Sequence, residues 1–147
     1  MHVPLANLTA RPIVALLAFC AWAILLTAGV LLARGWMMLT GQRRIGEFPG
    51  GQPHGGEAYW RLNRAHLNAL ENLPVFAAIV LGGAALGVSS PRLALLSEVV
   101  VAARIAQSIF HVASAGAVSV SLRFCAFATQ LGCFALMIVE TLRQAAS

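Results

Sequence analysis

Lysine and aspartate are absent from this chain, tyrosine occurs once, and charged residues make up only 10% of its 147 positions. So little charge, set against 59% hydrophobic residues and a mean hydropathy of +0.80, excludes an ordinary soluble domain. A chain of this length has too little interior to hide that much apolar surface from water, whereas lipid can take the excess. The missing lysines leave ten arginines and five glutamates to set a net charge of +5. In a soluble protein that balance would point to nucleic acid. Here the arginines are scattered among apolar runs, where lipid headgroups and buried anion sites account for them better, and no nucleic-acid partner is expected. Cysteine is also scarce. Cys20, Cys125 and Cys133 are odd in number, lie within apolar stretches and have no redox or metal-pair spacing. They read as packing or lipid-facing residues, and no metal site is expected.

What is present is four apolar stretches, at 13–39, 59–86, 93–114 and 120–142, each long enough to cross the hydrocarbon core as a helix. The expected architecture is therefore an all-α membrane bundle of four helices, one domain over residues 1–147. The first stretch follows Arg11, as in a signal peptide, but it exceeds the usual signal core and lacks a small-residue cleavage site. It reads as a retained anchor. Segment 40–58 holds Gly41, Gly46, Pro49, Gly50, Gly51, Pro53, Gly55 and Gly56, a loop by composition. Val88-Ser89-Ser90-Pro91 is a tight turn with the proline suited to the first turn of the third helix. The connection at Ala115–Ser119 is equally short.

Arginine placement sets an expected orientation. Arg43, Arg44, Arg61, Arg64 and Arg123 fall on the side of the first loop, against Arg11, Arg92 and Arg143 on the other. The positive-inside tendency puts that loop in the cytoplasm and both termini across the membrane. Trp36 and Trp60 flank the loop at belt positions, while Trp22 reads as packing or lipid contact. An arginine-only chain of this compactness is bacterial in style, which makes an inner membrane the expected location. His2 and His54 fall in segments expected to be mobile and carry no signal.

Ionisable and polar groups at membrane depth each call for an account. On the second helix Arg64, Asn68 and Glu71 are spaced by four and three, so they share a face, with Arg61 one turn earlier. On the third, Arg104, Gln107 and His111 repeat the pattern. At 1.5 Å per residue, Glu71 and Arg104 lie on the order of 10–15 Å inside, and His111 nearer the cytoplasmic end with Arg64 and Arg123. The two faces can meet in a polar cleft open to the cytoplasm, with Glu71 and Arg104 as a structural ion pair. The surplus of positive groups there, Arg44 included, points to an anionic ligand with carboxylates.

The string Arg64-Ala65-His66-Leu67-Asn68-Ala69-Leu70-Glu71-Asn72-Leu73-Pro74 closely resembles the second-helix signature of the MAPEG family, which includes microsomal glutathione transferases, prostaglandin E synthase and leukotriene C4 synthase. Ala103-Arg104-Ile105 with Gln107 resembles its third-helix motif, and Thr40-Gly41-Gln42-Arg43-Arg44 the end of its first helix. The resemblance implies a homotrimer with glutathione between neighbouring subunits, near the cytoplasmic face. It also implies that Arg64, Asn68 and Glu71 bind glutathione, that Arg44 reaches in, and that Gln107 and His111 take positions often held by His or Tyr. Arg123 matches the fourth-helix arginine that holds the sulfur as thiolate. His66 belongs to the signature but points off this face; a hydrogen bond that fixes helix packing is the favoured reading, a contact to glutathione or to the adjacent subunit the alternative.

Three departures stand out. Phe127 replaces a frequent Tyr, Phe124 a small polar residue of the prostaglandin synthase, and His111 a usual Tyr; together they argue against a prostaglandin or leukotriene synthase. The expected function is a glutathione-dependent transferase or peroxidase acting on lipophilic electrophiles dissolved in the membrane. The alternative is a non-catalytic lipid-binding or scaffold protein of the same fold. A small exporter using Glu71 is less favoured, because known small multidrug exporters carry their glutamate in the first helix. A haem protein using His66 and His111 is less favoured too.

Overall fold

The computed structural model describes residues 5–49 and 52–146, with side chains from Ala10 onward; His2 lies outside them. Four helices follow in order: α1 Leu5–Leu39, α2 Glu57–Ala85, α3 Pro91–Ala113 and α4 Ala117–Ala145. All four are long and apolar enough to span a membrane, and among the described residues there is no strand. Each helix begins before its apolar stretch, and α4 also continues past it.

Those termini are set by local chemistry. α1 and α2 each end on a glycine in the left-handed region, Gly41 (φ 71°) and Gly87 (φ 69°). At both, the next residue donates back to a carbonyl near the helix end: Gln42 to Met37 at 2.9 Å and Val88 to Gly83 at 2.9 Å. Such closures satisfy carbonyls that lipid could not. Pro91 opens α3, and Ser90 caps it, its Oγ accepting from the backbone of Arg92 and Leu93. The same hydroxyl donates to Glu140 Oε1 at 2.9 Å, tying α3 to the end of α4.

α2 and α3 form the centre. α1 packs against both, as does α4, whereas among the described residues no Cα of α1 comes within 8 Å of one in α4. Each helix turns a heptad-like stripe inward: Leu16, Phe19, Ala23 and Leu26 on α1; Ala65, Ala69, Phe76 and Val80 on α2; Val100 and Arg104 on α3; Gln130, Phe134 and Met137 on α4. Phe19 meets Phe76 at 5.5 Å and Phe76 stacks on Phe134 at 5.9 Å, a ladder of rings linking α1, α2 and α4. Leucines, isoleucines and valines cover the outside.

Midway along α1, two hydrogen bonds join it to its neighbours: Trp22 Nε1 to Ser108 Oγ at 3.2 Å, and Thr27 Oγ1 with His66 Nδ1 at 3.3 Å. Trp22 is thus a packing residue, and His66 has the helix-fixing bond expected of it. At the far end, Arg11 grips Glu98 through both carboxylate oxygens, at 2.9 and 3.0 Å.

His54 corrects the sequence reading. It is buried, not in a signal-free mobile segment. Arg34 Nε donates to Tyr59 Oη at 2.8 Å, Tyr59 Oη lies 3.1 Å from His54 Nε2, and His54 Nδ1 lies 2.8 Å from the Gln52 carbonyl. Phe48 packs on both the Arg34 guanidinium and the His54 ring. The chain of bonds runs from α1 through α2 into the loop and pins it down. Gly55 (φ 73°) is required beside it, since a Cβ there would come within 2.8 Å of the Tyr59 ring.

Two outcomes follow from this packing. Phe76→Ala should lower stability in detergent by on the order of 3 kcal/mol, the low end of the range for such truncations, because lipid already solvates apolar groups and the loss is mainly of contacts. Denaturation in mixed micelles measures it. Tyr59→Phe, which breaks two links of the latch, should cost about 1–3 kcal/mol locally and speed proteolysis of the 40–56 segment without unfolding the bundle.

Candidate functional site

The polar groups divide according to which stripe they occupy. On α3, Arg104 and Gln107 lie on the core stripe itself and are buried, with His111 one turn further. On α2 the core stripe is Ala65, Ala69, Asn72 and Phe76. Arg64, Asn68 and Glu71 each precede a member of it by one residue, which rotates them by about 100°. Arg64 and Glu71 are consequently exposed and Asn68 is half-buried.

That rotation overturns the expected ion pair. Arg104 and Glu71 feel each other's charge but form neither a hydrogen bond nor a salt bridge. Arg104 is turned inward instead, 1% exposed. Its guanidinium lies 5.5 Å from the centre of the Phe19 ring, and its Nη1 donates to Gln107 Oε1 at 2.7 Å. The Nε and Nη2 groups have no hydrogen-bond partner among the described residues.

A cavity of about 200 Å³ opens between α2, α3 and α4, lined by Asn68, Gln107, His111, Arg123, Phe124 and Phe127. Four sequence-predicted residues from three helices therefore meet in one space. Arg61, Arg64 and Arg123 all act electrostatically on His111, so this end of the cavity is positive. Arg61 is held in place by the Val112 carbonyl at 3.1 Å and by Glu57 at 3.5 Å. Arg64 and Glu71 stand outside the lining, and Arg44 is exposed in the first loop, where its backbone N–H donates to Glu47. The two phenylalanines make one wall apolar, and Phe124 is largely exposed beside the cavity.

Gln130 was missed in the sequence. It is fully buried on α4, and its Nε2 donates to Gln107 Oε1 at 3.1 Å and to the Ala126 carbonyl at 3.1 Å. A signal was available: Gln130 is an amide at membrane depth, seven residues past Arg123 and so on the same face. Among the described residues no group of His, Cys or Glu could hold a metal ion.

The arrangement offers one fixed cation in Arg123, amide groups in Asn68 and Gln107, an imidazole, and an apolar wall. That set can bind a polar anionic molecule against lipid-facing surface. No curated protein matches this chain. The sequence profile of the MAPEG family matches residues 11–143, from the second turn of α1 to the last turn of α4. The four-helix architecture and the near-complete match together establish that the chain is a multi-pass integral membrane protein belonging to the MAPEG family.

Proposed function

We propose that the protein is a glutathione-dependent transferase or peroxidase acting on lipophilic electrophiles, with Arg123 stabilising the glutathione thiolate. The observation that carries this reading is the convergence of Asn68, Gln107, His111 and Arg123 on one cavity beside two phenylalanines. A thiol of pKa about 8.5 is only a few per cent ionised at neutral pH, and each unit of lowering requires about 1.4 kcal/mol of preference for the anion. Arg123 is suited to supply it, because a guanidinium stays charged and presents a rigid fork of donors. In conjugation the thiol proton leaves to water, the sulfur forms a bond to the electrophilic carbon, and the leaving group departs with its electron pair. Phe124 and Phe127 would hold the apolar partner near the sulfur, and proximity accounts for much of the acceleration.

The cavity of one chain is smaller than the roughly 300–1,000 Å³ typical of small-molecule sites. Arg44, Arg64 and Glu71 are exposed and outside its lining. A complete site in this reading needs a neighbouring copy, in keeping with a homotrimer in which these exposed groups close over the ligand. The first loop would lie in the cytoplasm and both termini across a bacterial inner membrane, so that cytoplasmic glutathione enters from the Arg-rich end.

In mild detergent, glutathione should raise the melting temperature and produce thiolate absorbance near 240 nm, and Arg123→Ala should abolish the absorbance. Absence of both effects at millimolar glutathione sinks the transferase reading; saturable binding of fatty acids or phospholipids would then favour a lipid-binding role for the Phe124–Phe127 wall. Orientation is tested separately by Gln52→Cys in a chain whose native cysteines are replaced by alanine. In intact cells the new thiol should resist a membrane-impermeant maleimide and react only after permeabilisation; labelling before it reverses the topology.

A further inference from the structure

We infer that Gln130 is a positioning residue: with Arg104 it holds the Gln107 amide with oxygen inward and NH2 toward the cavity, so the ligand atom met there is an oxygen acceptor. The inference rests on the cavity being a ligand site, as proposed above, but its central claim concerns the protein alone.

The two ends of a glutamine amide are alike in shape, so their assignment must come from chemistry. Arg104 can only donate, and its Nη1 lies 2.7 Å from the Gln107 side chain, so the atom facing it is the oxygen. The Ala126 carbonyl can only accept, and it lies 3.1 Å from the Gln130 side chain, so the atom there is the NH2. These two anchors are independent, and they agree. Between them the Gln130 NH2 faces the Gln107 oxygen at 3.1 Å, donor to acceptor. Both lone pairs of Gln107 Oε1 are then occupied, which leaves its NH2 as the polar group offered to the space shared with Asn68, His111 and Arg123.

Gln130 does not line the cavity and is 0% exposed, so it acts only through Gln107. A leucine at 130 would fill similar space without the bond, so burying this amide has a purpose beyond packing. The consequence is a polarity rule. At this point the site takes a carboxylate or carbonyl oxygen and rejects a hydrogen-bond donor such as an ammonium group. Gln130→Glu reverses the logic: its carboxylate would attract both Arg104 and the Gln107 NH2 and turn the amide round. Gln130→Met, close in size and without a donor, removes one anchor and keeps the fold.

The experiment has two arms. In the first, side-chain amide signals of the detergent-solubilised protein without ligand are assigned through Gln107→Leu and Gln130→Met, and their hydrogen exchange is followed. The Gln130 NH2 should be strongly protected and the Gln107 NH2 should exchange rapidly; a protected Gln107 NH2 overturns the inference whatever the ligand. In the second arm, glutathione affinity is measured in a double-mutant cycle. Gln130→Glu should raise Kd about tenfold, the equivalent of one hydrogen bond to a charged group. Gln107→Leu should then cost nothing further in that background. A Kd within twofold of wild type in Gln130→Glu and Gln130→Met overturns the positioning role. Amide exchange as expected without any glutathione binding upholds the orientation of Gln107 and overturns only the choice of ligand.

Discussion

Arg104 carries its positive charge in the interior of the bundle, 1% exposed. A guanidinium in that position needs acceptors and a polarisable surface around it, or it destabilises whatever encloses it. The fold supplies one acceptor, Gln107 Oε1 on its own helix, and one polarisable surface, the Phe19 ring of α1, while Gln130 of α4 shares the Gln107 oxygen as a second donor. The backbones of α1 and α4 stay more than 8 Å apart among the described residues, and this network and the ladder of Phe19, Phe76 and Phe134 relate the two outer helices to each other. Between helices that lipid already solvates, such specific contacts matter more than the burial of apolar area.

The same network separates structural polarity from ligand polarity. Arg104 and Gln130 face inward and both donate to Gln107 Oε1, while Asn68, His111 and Arg123 line the cavity. Gln107 belongs to both sets, with its oxygen in the core and its nitrogen at the cavity. Arg64 and Glu71 are exposed and stand outside the lining of that space.

The two ends of the bundle are built differently. The end remote from the cavity is fastened by ion pairs, Arg11 with Glu98 and Arg92 with Glu140, the latter reinforced by the Ser90 hydroxyl. The end near the cavity is fastened by the latch from Arg34 through Tyr59 to His54, which holds the first loop against α1 and α2. That loop carries Arg43 and Arg44, so its anchoring decides where two of the positive groups at this end are presented.

Composition and helical spacing alone settled that the chain crosses a membrane four times, and the Arg64–Asn68–Glu71 string identified the family later matched over residues 11–143. These features are local: a helix long enough to span and a motif within three turns need no knowledge of what they pack against. Spacing also grouped Arg104, Gln107 and His111 correctly, since residues three and four apart share a face in any helix. It could not say which face turns inward. A rotation of one residue separates the polar stripe of α2 from its core stripe, so Glu71 looks outward while Arg104 looks inward, and the pair that spacing allowed does not form. Gln130 and His54 gained their roles the same way, from partners 23 residues away on α3 and in the fold of a glycine-rich loop. The axial position of a side chain is written in the sequence because helix rise is constant, whereas its azimuth is decided by the neighbours that compete for the interior, and those exist only in the packed bundle.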